Sequence, residues 1–302
     1  MVTAVALALL TGHLIAVDAR PVTDVRVIVH WTRGAVFDAV DTLPIARDGG
    51  FGTLVREPAS DSIVIEAVPM PGSRYFANRV TLPIARVSSD IRLLLVPRRW
   101  PIDRGRFAGD SVAIDPAAIL RRAPGYGSFG RLTKQHVVGW SPSTFPLAVV
   151  IRHDVGARVT SADSTAFWSA ARDVEAAIGT PLFRPTMDTT MHDLVYPVDV
   201  EIQPRINASG VTFVTWDRDG TVYESTVRFR SSVEMRTNGV VEHELLHVLG
   251  FGHTAAWTSA MTPRGSILRA ITEDDVAYAQ LLMRVRALQA DPLVVGGFEP
   301  PE

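Results

Sequence analysis

Short apolar runs separated by Gly and Pro turns make up the first third of the chain. Residues 22–29 alternate apolar and polar positions, and residues 62–68 and 90–96 are further runs rich in β-branched side chains. A turn cluster, Asp-Gly-Gly-Phe-Gly, occupies residues 48–52. Several short strands at this spacing are typical of two packed antiparallel sheets. We therefore predict a small all-β sandwich over residues 20–104.

In the second half of the chain, some segments have apolar residues at every second position, as in strands, and others have them about every 3.6 positions, as in helices. This mixture indicates an α+β fold. An apolar helix face recurs over residues 164–178, with Ser161 or Asp163 as candidate caps and Gly179 as the end. Residues 217–220, Asp-Arg-Asp-Gly, predict a hairpin turn. The strands predicted in this half are residues 145–153, 198–202, 211–215 and 222–229.

Two further helices are predicted toward the C-terminus. One begins at Thr237 or Asn238, ends at Leu249 and directs its apolar side chains inward. The other opens at Thr272, where Asp274 and Asp275 suit the positive end of a helix dipole. The side chains predicted to pack this last helix are Val276, Leu281, Leu282, Val285 and Leu288.

Composition limits the chemistry that the chain can perform. Its 302 residues are 47% hydrophobic and 21% charged, which is typical of a folded protein rather than a disordered one. The net charge of −2 gives no electrostatic reason to expect nucleic acid or an anionic membrane as a partner. The absence of cysteine excludes disulfides, thiolate metal ligands and a cysteine nucleophile.

Residues 1–17 are nearly all apolar, and Val17-Asp18-Ala19 has the small residues of a signal cleavage site. The run is short for a membrane span, so no stable span is expected. We predict a secretory leader over residues 1–19 and hence a secreted or periplasmic protein. The alternatives for this stretch are a truncated start and an ordinary first strand.

The candidate chemistry lies in residues 243–253, which read His-Glu-Leu-Leu-His-Val-Leu-Gly-Phe-Gly-His. Positions i and i+4 share a helix face, so His243 and His247 can direct two imidazoles at one point. A catalytic zinc ion takes three protein ligands and leaves a fourth position to water. We predict one catalytic zinc ion with His253 as its third ligand.

Two other positions in this stretch have predicted roles. Gly250 can adopt a positive φ at little steric cost, so it can end the helix and return the chain to the metal. Glu244 follows the first ligand and would lie beside the open coordination position, where it can take a proton from the bound water. An amphipathic helix that happens to carry histidines is the alternative, and it does not account for the Glu and Gly positions.

This spacing is the metzincin signature, and here the chain resembles the zinc peptidases of that group. Met261, eight residues after His253, resembles the methionine turn of the matrixin-like branch, where it would form an apolar floor under the imidazoles. Residues 271–282 resemble the C-terminal helix of that branch. Pro263 stands where some metzincins have an additional tyrosine ligand, so no tyrosine ligand is expected.

The resemblance implies a metzincin-like catalytic domain, built as a mixed twisted sheet with an active-site helix, that hydrolyses extended peptide or protein substrates. In the family, substrate lies along the edge strand above the cleft, which corresponds here to residues 223–229. Residues 34–55 are weakly similar to carboxypeptidase-regulatory-like and other Ig-like modules. The predicted organisation is a leader (1–19), a β-sandwich (20–104), a connector (105–143), a zinc peptidase domain (144–290) and a flexible tail (291–302).

Two other functions stay open, a zinc-stabilised binding module without turnover and a zinc hydrolase that is not a protease. Glu244 argues against the first, because a structural site needs no base and usually closes its fourth position. An edge strand that binds peptides argues against the second. The chain is expected to be a monomer. Four features are interpreted as structural. They are His30 as a packed or rim residue, residues 124–130 as a linker, His192 as a loop residue and residues 217–220 as a turn rather than a calcium loop.

Overall fold

The structure, a computed structural model, describes residues 9–33, 36–54, 61–83, 90–115, 132–133, 136–190, 195–254, 258–262, 270–291 and 294–295. The chain divides into two compact units, one formed by Met1–Arg99 with Leu288–Glu302 and the other by Trp100–Ala287. Strands and helices are both present, which confirms the α+β class. No helix within the described ranges is long and apolar enough to cross a membrane.

The described residues form seventeen strands and four α-helices. The first strands are β1 (Leu9–Ala16), β2 (Val25–Arg33), β3 (Val36–Leu43), β4 (Gly50–Leu54), β5 (Ser62–Pro69), β6 (Asn78–Pro83), β7 (Ile91–Leu95), β8 (Arg99–Pro101), β9 (Ser111–Ala113), β10 (Leu132–Thr133) and β11 (His136–Val137). The later elements are β12 (Leu147–Gly156), α1 (Ser161–Ile178), β13 (Phe183–Pro185), β14 (Val198–Ile202), β15 (Gly210–Trp216), β16 (Val222–Phe229), α2 (Ser232–Met235), α3 (Asn238–Val248), α4 (Glu273–Gln289) and β17 (Val294–Val295).

Two four-stranded sheets make up the first unit, in the orders β17-β7-β1-β4 and β3-β2-β5-β6. Alternate side chains from both sheets are apolar and meet in one core, in which Trp31, Ile65 and Leu93 are buried. Burying an apolar side chain of this size contributes about 1.5–3 kcal/mol, so the shared core holds the two sheets together. His30 lies outside that core, with its Nε2 atom 3.1 Å from Oε2 of Glu66.

The first unit differs from a purely antiparallel sandwich at β1. This strand pairs antiparallel with β4 but parallel with β7, and β17 also pairs parallel with β7. Leu10 and Leu14 of β1 are buried in the core, so the stretch assigned to a leader contains the first strand. The predicted tail likewise contributes β17 to this sheet. The secreted or periplasmic location stays a prediction.

A five-stranded mixed sheet in the order β13-β12-β14-β16-β15 forms the centre of the second unit. Its neighbours pair in parallel, except that β15 is antiparallel to β16. Helix α1 backs the sheet, with the ring centroids of Phe167 and Phe229 of β16 6.4 Å apart. Helix α3 packs against α1, β15 and β16. The sheet and α1 therefore provide a rigid support for α3.

Local hydrogen bonds set both ends of α1. Thr160, rather than the predicted Ser161 or Asp163, is its N-cap, so the helix begins earlier than predicted. Thr160 donates its backbone N–H to Oδ2 of Asp163 over 2.7 Å, and its Oγ1 accepts from the Asp163 backbone N–H over 3.3 Å. This reciprocal pair is a capping box. Gly179 ends the helix as predicted, in the left-handed conformation with φ +79°.

Strand β15, and not β16, lies at an edge of the sheet in the second unit, and β13 lies at the opposite edge. The expectation that residues 223–229 form the edge is wrong, because β16 lies between β14 and β15. The turn at residues 217–220 folds the two strands into an antiparallel hairpin, and β14 pairs with β16 on its other side. The turn signal predicted which strands pair, but it did not determine which of them is outermost.

The boundary between the units falls after Arg99 rather than after residue 104. Residues predicted to be a connector pack inside the second unit, where Val112, Ile114 and Trp140 are buried. Apolar side chains at these positions explain the difference, because a solvated connector would leave them in water. The interpretations made for residues 124–130, His192 and Pro263 lie outside the described residues.

Candidate metal centre

Three imidazole rings meet beside α3. His243 and His247 stand one helical turn apart on α3, and His253 follows in the segment after the helix. The Nε2 atom of His247 lies 3.1 Å from that of His243 and 3.1 Å from that of His253. The Nε2 atoms of His243 and His253 are 3.3 Å apart. The structure thus brings the three predicted ligands together.

Backbone carbonyl groups hold the opposite side of two of these rings. The Nδ1 atom of His243 lies 2.7 Å from the oxygen of Ala260, and that of His247 lies 2.8 Å from the oxygen of Phe251. A carbonyl oxygen only accepts, so each Nδ1 carries the proton and each Nε2 presents a lone pair. Lone pairs directed at one point repel each other unless a cation lies between them.

The spacing of the ring nitrogens fits a divalent ion such as zinc. Nitrogen atoms bound at ~2.0–2.1 Å to one tetrahedral ion are ~3.3 Å apart. The observed Nε2 separations of 3.1 and 3.3 Å are close to this value. Burial lowers the pKa of His243 and so favours its neutral form, which is the form that binds metal. The cluster His243, His247 and His253 could therefore hold a metal ion.

Gly250 makes the turn that brings the third ring back to the other two. Its φ is +102°, and a Cβ at this position would lie 2.5 Å from the carbonyl oxygen of Val138. The backbone N–H of Phe251 donates to the oxygen of Leu246 over 3.2 Å, which closes the end of the helix. Any other residue at position 250 would meet both backbone strain and a collision.

Glu244 follows His243 on α3 and is buried, with only 3% of its surface exposed. Its Oε2 accepts a hydrogen bond from Oγ1 of Thr212 on β15 over 2.7 Å. Burial raises the pKa of Glu244 to about 7, and the hydrogen bond from Thr212 acts in the opposite direction. A carboxyl group with this pKa can both take up and release a proton near neutral pH. Sequence reasoning did not identify Thr212, which lies on β15, 32 residues before Glu244.

Met261 lies in a buried turn that is joined to two of the ligands. The carbonyl oxygen of Met261 accepts from the backbone N–H of Thr254 over 3.0 Å, next to His253. The preceding residue, Ala260, provides the carbonyl that holds His243. The turn therefore orients the first ligand and is fastened beside the third. Met261 itself is fully buried, and its role as a floor under the rings stays a prediction.

A buried carboxylate that the sequence did not assign to the site, Asp275, supports this turn. It accepts hydrogen bonds from Oγ of Ser259, from the backbone N–H of Ala260 over 3.0 Å and from the backbone N–H of Thr272 over 3.0 Å. Oγ1 of Thr272 donates to it as well, over 2.8 Å. The two contacts with Thr272 could have been predicted, because the spacing Thr272-x-x-Asp275 is the spacing of a capping box.

The acidic turn at residues 217–220 has the contacts of a hairpin. Oδ1 of Asp217 accepts from the backbone N–H groups of Asp219 and Thr221, over 3.1 and 2.9 Å. A guanidinium nitrogen of Arg286 lies 3.5 Å from Oδ1 of Asp219. A calcium site requires 6–8 oxygen ligands, and a neighbouring cation opposes one, so the predicted turn is the better description.

Comparison with known proteins assigns neither the chain nor its site to a family. No family model matches the chain, and no curated protein matches it either. The interpretation of the site therefore depends on its own geometry and chemistry. The described structure establishes an α+β fold with a cluster of three histidines that could hold a metal ion.

Proposed function

We propose that the chain is a zinc-dependent endopeptidase of the metzincin group, of its matrixin-like branch. The observation that carries the proposal is the convergence of the Nε2 atoms of His243, His247 and His253 to within 3.1–3.3 Å of one another. The adjacent buried carboxyl of Glu244, the turn at Met261 and the helix α4 after that turn support it further.

The donor set favours zinc. His243, His247 and His253 would hold the ion through neutral imidazole nitrogens, whereas magnesium and calcium prefer oxygen ligands. Three protein ligands leave one coordination position open, as in catalytic zinc sites. When bound, zinc supplies a Lewis acid that polarises a carbonyl group and lowers the pKa of a water molecule. A purely structural site would need neither the open position nor a neighbouring base.

Glu244 is the group that moves protons in this proposal. Its carboxylate takes a proton from the attacking water and then gives that proton to the leaving amine. Burial raises the pKa of Glu244 to about 7, so both its charged and its neutral form are populated at neutral pH, as the two steps require. Its burial at 3% exposure also excludes bulk water, which would otherwise compete for the proton.

Strand β15 is the element proposed to bind substrate. As the outermost strand it directs alternate backbone N–H and C=O groups away from the sheet. An extended peptide can pair with these groups, which gives affinity with little demand on the substrate sequence. The same strand packs against α3 and contacts Glu244 through Thr212, so a peptide paired with it would lie beside the site. The substrate class proposed is therefore an unfolded or extended polypeptide.

The test combines metal analysis with cleavage of a quenched fluorescent casein. The wild-type protein should contain one zinc ion per chain and should lose cleavage when a chelator removes it. Glu244→Gln should keep the zinc and lose cleavage by a factor of about 10² or more, the usual contribution of a general base.

A matched control for this test is Glu242→Gln on the same helix. Burial raises the pKa of Glu242, which favours the neutral, protonated form of its side chain, and Gln imitates that form. This variant should cleave casein as the wild type does. Wild-type cleavage rates in Glu244→Gln, or a wild-type protein that binds no zinc, would reject the proposal.

A further inference from the structure

The edge strand β15 makes direct contact with Glu244 at two alternate positions. Oγ1 of Thr212 lies 2.7 Å from Oε2 of Glu244 and 3.1 Å from its backbone oxygen. The hydroxyl has one proton, and the charged oxygen at the shorter distance is the stronger acceptor. Because residues two apart on a strand share one face, Gly210 points toward the same helix as Thr212.

Gly210 leaves space that the side chain of Glu244 occupies. A Cβ at position 210 would lie 2.7 Å from both Cγ and Oε1 of Glu244 and 2.9 Å from its Cδ. These three nearest atoms all belong to one side chain, so an added methyl group would displace the carboxyl of Glu244 rather than the backbone. The bare backbone at Gly210 and the hydroxyl of Thr212 therefore define where this carboxyl can lie.

We infer that Gly210 and Thr212 are positioning residues that set the orientation of the Glu244 carboxyl relative to the three imidazoles. The inference rests on the proposed function and extends it, because the strand proposed to bind substrate then also positions the base. Thr212 holds one carboxyl oxygen by a hydrogen bond, and Gly210 makes room for the other. Both residues act through Glu244.

Three substitutions test the inference in the zinc-loaded full chain. Thr212→Val keeps the shape of the side chain and removes the donor, so kcat for a quenched peptide should fall about tenfold while KM changes less than about twofold. Thr212→Ser restores the hydroxyl and should return kcat to within about twofold of the wild type. Gly210→Ala should lower kcat at least as much as Thr212→Val, because it moves the carboxyl directly.

Thr190→Val is the matched control outside β15. Oγ1 of Thr190 also donates to a carboxylate, Oδ1 of Asp188, over 2.6 Å, and this contact lies at the exposed surface. The control therefore removes the same type of hydrogen bond without affecting Glu244 or the strand proposed to bind substrate. It should leave kcat unchanged. Zinc content and the unfolding midpoint, measured for every variant, separate a change in position from misfolding.

A second measurement does not depend on turnover. Acetohydroxamate chelates zinc, and its hydroxyl group can donate a hydrogen bond to a carboxylate beside the metal. Its affinity for the zinc-loaded protein therefore reports the position of the Glu244 carboxyl. The affinity of acetohydroxamate should fall several-fold in Thr212→Val and Gly210→Ala and stay unchanged in Thr190→Val. Equal affinities and equal kcat values in Thr212→Val and Thr190→Val would overturn the inference. A wild-type protein that binds zinc but cleaves no peptide would overturn the proposed function, and the hydroxamate comparison would then decide the inference alone.

Discussion

Removing the Asp275 carboxylate should weaken both the fold of the second unit and the metal centre. This fully buried group accepts hydrogen bonds from Ser259, from Ala260 and twice from Thr272. Ala260 in turn provides the carbonyl that holds Nδ1 of His243 over 2.7 Å. Asp275→Ala would leave two backbone N–H groups and two hydroxyl groups without their acceptor, in a place that water does not reach.

The magnitude follows from the hydrogen bonds that the substitution removes. Each hydrogen bond to a charged group contributes about 1.5–3 kcal/mol, but these four share one carboxylate and are not additive. Breaking a buried charged network usually costs about 3–5 kcal/mol, and we expect a loss of this size in the free energy of unfolding. For a unit of this length that corresponds to a fall of roughly 6–20 °C in the unfolding midpoint. Loss of support behind a histidine ligand lowers metal affinity about 10–100-fold, and we expect a weakening of zinc binding in this range.

Thermal unfolding with and without zinc measures the first effect, because the transition that zinc shifts belongs to the second unit. Competition with a fluorescent zinc chelator measures the second. Asp274→Ala is the control, since it removes the adjacent carboxyl group and leaves the four hydrogen bonds to Asp275 in place. Burial and the charge of Asp275 both raise the pKa of Asp274. If Asp275→Ala and Asp274→Ala unfold within about 1 kcal/mol of each other and bind zinc equally, the proposed support of the turn by Asp275 is wrong.

Two further predictions concern the ends of the helices that carry and support the site. Gly250→Ala should weaken zinc binding and lower the unfolding midpoint. The reason is that φ at this position is +102° and a Cβ would lie 2.5 Å from the carbonyl oxygen of Val138. An unchanged unfolding midpoint in calorimetry and an unchanged zinc affinity in titration would contradict this prediction. Burial by itself raises the pKa of Asp163, but hydrogen bonds from Thr160 and Arg236 outweigh burial and hold the pKa below its usual value. Because the folded pKa is depressed, this group stabilises the fold above its unfolded pKa of ~3.9, and the contribution is lost as the pH falls through the folded pKa. Urea unfolding from pH 6 to pH 2.5 should therefore be flatter in Asp163→Asn than in the wild type, and parallel curves would refute the assignment.

Much of the candidate centre could be predicted because its signals are local. The i and i+4 spacing of His243 and His247 becomes a shared face as soon as the segment is helical, and the observed helix, Asn238–Val248, agrees with the predicted residues 237–249. A glycine three residues after the second histidine predicts a turn, and Gly250 makes one. The hairpin at residues 217–220 follows from its turn residues in the same way.

The parts that sequence reasoning missed depend on contacts between distant segments. Strand β15 is the edge because β14 pairs with the far side of β16, and no residue of β15 or β16 indicates that choice. Thr212 reaches Glu244 only because β15 packs against α3. Asp275 reaches the turn at Ala260 only because α4 begins beside it.

By itself, the sequence determined which side chains could bind a metal, where their helix begins and ends, and which residue could serve as a base. These properties depend on backbone geometry within about two helical turns, which neighbouring residues largely control. The tertiary structure alone decided which strand of the hairpin lies at the edge of the sheet, which residues hold Glu244 and what supports the turn beside His243. Those contacts arise from pairing and packing between segments tens of residues apart, and many arrangements of the same local elements would satisfy the same local pattern.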